Sequence, residues 1–82
     1  MNVFEVVKEA ICRVQPGIDE SRIAPGALLK EDLEIDSLGR VELALALEDA
    51  FGLILPDEEL ENIATVGDIV SLVEPKTEQR NA

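Results

Sequence analysis

The sequence predicts an all-α domain: four helices forming a bundle, with a long first loop and a short third helix. Three observations carry that expectation. Apolar residues recur at three- and four-residue spacing along several stretches, the mark of amphipathic helices. Proline and glycine punctuate the ends of those stretches. The one extended candidate, Leu53–Leu55, is too short to carry a sheet.

The first helix is expected from Asn2 to Val14, with Val3, Val7, Ile11 and Val14 on one face and Phe4, Val6 and Ala10 beside them. Gln15-Pro16-Gly17 ends it, because the proline biases Gln15 away from helix and the glycine accepts any turn. The connection that follows, "IDESRIAPGALLKEDLEI", has no clean period in Ile18, Ile23, Leu28, Leu29, Leu33 and Ile35. A loop of this length is expected to lie across the core, pinned by those side chains. The second helix is expected from about Ser37 to Phe51, stopped by Gly52. Pro56-Asp57 opens a short third helix with acids in its first turn. Thr65-Val66-Gly67-Asp68 reads as a cap with an acid three residues on, starting a fourth helix through Val73 that Pro75 stops. Residues 1–75 thus form the domain, and 76–82, "KTEQRNA", a flexible polar tail.

At 82 residues the chain is one small domain with a thin core. Only Phe4 and Phe51 are aromatic, so that core is aliphatic. Cys12 is the single cysteine, which rules out an intrachain disulfide; in its apolar run it reads as a half-buried bystander. The absence of histidine removes the commonest general base and metal ligand. No basic leader precedes a long apolar run, so a cytoplasmic monomer with no membrane span is expected. The net charge of −11 disfavours nucleic acid and anionic membranes. It is also local: from Glu31 to Asp68 there are twelve acids and one base, Arg40, while the remaining residues are neutral. Such a region is either a solvated acidic surface or a docking face for basic partners.

The second helix carries two apolar stripes. Leu43, Leu47, Ala50 and Phe51 are spaced for the core, while Leu38, Val41 and Leu45 point elsewhere. Either the helix is buried on both sides, or the second stripe is a patch for partners rimmed by Glu42, Glu48 and Asp49.

Ser37 stands at the mouth of this helix, among carboxylates. A calcium loop counted from Asp32 fails: its sixth position, glycine by geometry, is Ser37, and its twelfth, a bidentate glutamate, is Leu43. Nucleophilic catalysis at Ser37 lacks a base, since adjacent Asp36 points away on a turn. No metal site and no catalytic residue emerges. Two readings stay open on the residues alone. Ser37 or Asp36 caps the helix, or the exposed hydroxyl is an attachment point, where a phosphate ester would face free backbone N–H groups and the positive helix end.

The stretch "DLEIDSLGRVELALALEDAFGLILPDEELENIATVGDIV" closely resembles the acyl carrier protein family. The likeness rests on Asp36-Ser37-Leu38, with Asp32-Leu33 before it and Val41-Glu42-Leu43, Leu47-Glu48 and Phe51-Gly52 after it. It continues through Ile54, Pro56-Asp57 and Ile63–Val70, with looser identity in the first helix and loop. The resemblance implies a four-helix bundle of acyl-carrier type, in which helices part to shelter an acyl chain. It implies that Ser37, flanked by Asp36 and Leu38, takes covalent 4′-phosphopantetheine from coenzyme A through a phosphopantetheinyl transferase. The protein is then no enzyme, but a phosphoprotein presenting thioester-bound acyl groups to acyl transferases, ketosynthases and other enzymes with basic patches. Its partners would belong to fatty-acid, lipid or polyketide-type biosynthesis. By the same resemblance the docking face comprises Asp36, Leu38, Arg40, Val41, Glu42, Leu45, Glu48 and Asp49. The rival from another class is an acidic helical adaptor with an unmodified Ser37.

Three residues depart from the family pattern. Glu34 replaces the glycine usual after Asp-Leu, Gly39 replaces an acid after the triplet, and Arg40 adds a positive charge. Gly39 is expected to weaken the first helical turn by roughly 1 kcal/mol relative to alanine. Arg40 is expected to offset Glu42 or a pantetheine phosphate. Together they suggest a specialised member of the family.

Overall fold

The computed structural model describes residues 2–80. Its helices are α1 (Val3–Val14), α2 (Ser37–Phe51), α3 (Asp57–Leu60) and α4 (Val66–Arg80), with a 3-10 turn at Glu20–Arg22 in the first loop. The expected bundle with a long first loop and a short third helix is therefore found. Among the described residues there is no strand at Leu53–Leu55. One isolated antiparallel bridge pairs Leu28 with Thr65 instead.

Asn2 caps α1 through its side-chain oxygen, which accepts from the Glu5 N–H, and α1 buries Val7, Ala10 and Ile11. These face α2 and α4. The first loop behaves as a pinned strap. Ile23, Ala27, Leu29, Leu33 and Ile35 are all buried, while Ile18 and Leu28 are half-buried. Two of its carboxylates are tied locally: Asp19 accepts from the Ser21 N–H at 3.0 Å, and Asp32 accepts from the Leu28 N–H at 2.8 Å.

The strap is stitched to the start of α4. The Leu29 N–H donates to the Ala64 carbonyl at 2.9 Å, and the Val66 N–H to the Ala27 carbonyl at 3.1 Å. The Gly67 N–H reaches the Pro25 carbonyl at 2.7 Å. A Cβ at Gly67 would meet that same oxygen at 2.8 Å, so glycine permits the approach. Thr65 and Asp68 form the expected capping box: the Thr65 hydroxyl accepts from the Asp68 N–H, and the Asp68 carboxylate from the N–H groups of Thr65 and Ala64.

The fourth helix does not stop before Pro75; it continues to Arg80 with the proline inside. A proline there removes one helical hydrogen bond, normally a sufficient reason to end. Side chains beyond it supply compensation. Lys76 forms an ion pair with Glu59 of α3 at 3.1 Å, and the Thr77 hydroxyl donates to the Glu74 carbonyl at 2.8 Å. Of the expected flexible tail, residues 76–80 are thus helical, and 81–82 lie outside the described residues.

The core is aliphatic, as composition implies. Ile11, Leu29, Leu33, Ile35, Leu43, Leu47 and Ile69 are its largest enclosed side chains, with Phe51 at the rim. Cys12 is half-buried against this core. Desolvation by burial, then the Glu20 carboxylate, pushes its thiol pKa up, which disfavours the nucleophilic thiolate.

Candidate functional site

Helix α2 organises the site because its two apolar faces are both real. Taking about 100° per residue, the buried arc runs from Leu43 through Leu47 and Phe51 to Ala44. Leu38, Val41 and Leu45 lie on the opposite side and are 67%, 57% and 61% exposed. The helix is therefore buried on one side only. Ala50, expected in the core stripe, is exposed; it falls just outside the buried arc, in the last turn. Ala44 takes its place.

The N-terminus of α2 is open. Asp36 is its cap, its Oδ1 accepting from the Gly39 N–H at 2.8 Å. Ser37 is the first helical residue and is exposed. Among the described residues, its hydroxyl and the backbone N–H groups of Ser37 and Leu38 find no partner. The cap reading thus belongs to Asp36, and the serine hydroxyl is left over. Gly39 is held close: a Cβ there would meet Ile35 Cγ2 at 2.9 Å and Asp36 Oδ1 at 3.3 Å. The close turn beneath the serine offsets the helix propensity that an alanine would bring.

Beside Ser37 a half-open groove of about 540 Å³ runs between α2 and the α3 region. Arg40, Val41, Leu45, Leu55 and Leu60 are among its walls. Ile54, 80% exposed, extends the apolar surface. Sequence reasoning did not single it out as a site residue, yet the signal is there. In the extended Leu53-Ile54-Leu55 segment alternate side chains point opposite ways, and Leu53 and Leu55 point inward.

The charged residues divide. Glu42 and Asp49 are exposed beside the apolar stripe. Glu48 is half-buried, and its Oε2 accepts from the Leu55 N–H at 2.8 Å, so this carboxylate braces the α2–α3 connection. Arg40 does not stand among the exposed residues as expected. By angle it lies roughly 60° from Leu43, within the buried arc. Its guanidinium, half-buried, donates to the Ile63 carbonyl. Glu34, the other departure, adopts φ +56°, the left-handed region in which glycine is at ease. Gln15 Nε2 donates to the carbonyls of Leu33 and Glu34 and holds that turn.

Residues 5–73 match the family described as "Phosphopantetheine attachment site". Fold and match together define a carrier module that works by bearing a prosthetic arm. The acyl carrier protein of Rubrobacter xylanophilus is 54% identical over 57 residues, which cover 70% of each chain. The chain belongs to the acyl carrier protein family, as a non-catalytic carrier with covalently attached 4′-phosphopantetheine. The open end of α2 fits such a group. A phosphate group there would find two unpartnered backbone N–H groups and the positive end of a helix. Among the described residues no helix is long and apolar enough to cross a membrane.

Proposed function

We propose that Ser37 is the residue that carries the arm, and that the exposed face of α2 presents the loaded carrier to acyl-using enzymes. The observation that carries this reading is the unpartnered, exposed Ser37 hydroxyl at the open N-terminus of α2. In loading, Ser37 Oγ forms a bond to the β-phosphorus of coenzyme A. Adenosine 3′,5′-bisphosphate leaves, and the hydroxyl proton passes to a base of the phosphopantetheinyl transferase. Asp36 holds the first turn of α2 so that the Ser37 and Leu38 N–H groups face the new phosphodiester. When bound, the arm supplies a terminal thiol that holds an acyl group as a thioester.

Leu38, Val41 and Leu45, with Ile54, provide the apolar contact for partners, and Glu42, Asp49 and Asp36 the surrounding negative charge. Such partners are acyl transferases, ketosynthases or other enzymes of fatty-acid, lipid or polyketide-type biosynthesis with basic patches at their entrances. Docking at this face delivers the tethered acyl group at high effective concentration.

Loading tests the reading directly. The protein is incubated with coenzyme A, magnesium and a promiscuous phosphopantetheinyl transferase, then weighed intact. A gain of one phosphopantetheine that disappears in Ser37→Ala is expected. No gain, or the same gain in Ser37→Ala, would overturn Ser37 as the attachment point.

A further inference from the structure

Among the described residues, Arg40 is the one basic residue lining a groove whose apolar walls are edged by Ser37, Glu48 and Glu61. It lies three residues after Ser37, about one helical turn along α2, and shares the groove with it. Its guanidinium crosses to the Ile63 carbonyl, just before α4. Ile63 is itself buried in the core. Arg40 therefore links α2 to the α3–α4 connection, one helical turn from Ser37. Val41, Leu45, Leu55 and Leu60 offer hydrocarbon surface in the same groove.

We propose that Arg40 is a specificity-determining strap: it keeps the bundle closed to long apolar acyl chains, so that a long-chain thioester stays as exposed as a short-chain one. The inference rests on the assignment of Ser37 as the attachment residue. A chain on the arm that folds back into this groove runs past Arg40, which lines it together with Ser37. To pass between α2 and Ile63 it must break a charge-assisted hydrogen bond and leave a guanidinium against hydrocarbon. Neither penalty arises with a small apolar residue at this position. A short acyl group does not need the passage.

The test loads wild type, Arg40→Ala and Arg40→Lys with butyryl- or tetradecanoyl-phosphopantetheine from the corresponding coenzyme A thioesters. Intact mass verifies loading. Hydroxylamine cleavage of each thioester is then timed, and each melting temperature is compared with that of the unloaded form of the same variant. In wild type the two thioesters should be cleaved at rates within about twofold of each other, with equal melting shifts. In Arg40→Ala the tetradecanoyl thioester should be cleaved about tenfold more slowly than the butyryl one, the factor expected for losing one charged hydrogen bond. Its melting shift should also be the larger. Arg40→Lys, which keeps a cationic donor, should stay near wild type. Tenfold protection of the long chain in wild type would overturn the strap, even if Arg40→Ala did not fold. Equal protection in wild type and Arg40→Ala would overturn it too. Failure to gain mass would instead bring down the Ser37 assignment and this inference with it.

Discussion

Replacing Glu34 by glycine should stabilise the protein. Glu34 sits at φ +56° in the loop that leads into α2, and its carbonyl is held by Gln15 Nε2. A side chain with a Cβ in this region costs about 1–2 kcal/mol. Glycine removes that strain but loses more chain entropy on folding, a term of about 0.5–1 kcal/mol. The difference favours Glu34→Gly by about 0–1.5 kcal/mol, centred on about 0.75. For a domain of this size the central value raises the melting temperature by roughly 3–6 °C. Removing a negative charge also relieves repulsion in the acidic region, so Glu34→Ala is the control: it loses the charge and keeps the Cβ. Melting and urea titration at low and high salt would separate the two effects, since surface charge effects fade with ionic strength. The reasoning fails if Glu34→Ala is as stable as Glu34→Gly, or if Glu34→Gly is less stable than wild type.

Other expectations come from single contacts. Glu48→Ala leaves the Leu55 N–H without its carboxylate partner and should lower the urea-derived stability by about 1–3 kcal/mol, with Glu48→Gln losing less because it keeps an acceptor. Gly67→Ala forces a Cβ against the Pro25 carbonyl at 2.8 Å and should cost about 1–3 kcal/mol by the same titration; an unchanged midpoint would show that the strap–α4 joint can yield. The Asp68 carboxyl is held below its usual range, chiefly by the N–H groups of Ala64 and Thr65. Because the folded pKa is depressed, its contribution is present above the unfolded value of about 3.9 and is lost as pH falls through the folded one. Urea midpoints below that pH should therefore fall less steeply in Asp68→Asn than in wild type.

Much of the fold was legible because its signals are local. The Gly52 stop of α2 adopts the left-handed conformation, and the Thr65–Asp68 box forms its reciprocal bonds. The second apolar stripe of α2 was visible from spacing alone, and Leu38, Val41 and Leu45 are indeed exposed. Pro75 misled because proline is a local stop, whereas the ion pair between Lys76 and Glu59 joins residues far apart in sequence. Arg40 and Glu48 are half-buried for a related reason. A charged residue in an acidic region reads as surface, and only a neighbouring backbone can claim its side chain.

By itself, then, the sequence determined the class of protein: an acidic, aliphatic, helical carrier whose triplet, helix stop and cap are all short-range patterns of residue type and spacing. Tertiary structure decided which polar groups remain for partners. It turns Glu48 onto the Leu55 N–H and Arg40 onto the Ile63 carbonyl, whereas the Asp36 cap on the Gly39 N–H is local and leaves the Ser37 hydroxyl unpartnered among the described residues. The physical reason is that unpaired backbone N–H and C=O groups in the interior are costly to leave unsatisfied. Whichever side chain the fold brings within reach is drawn to them, and that reach is not written in the spacing of residues along the chain.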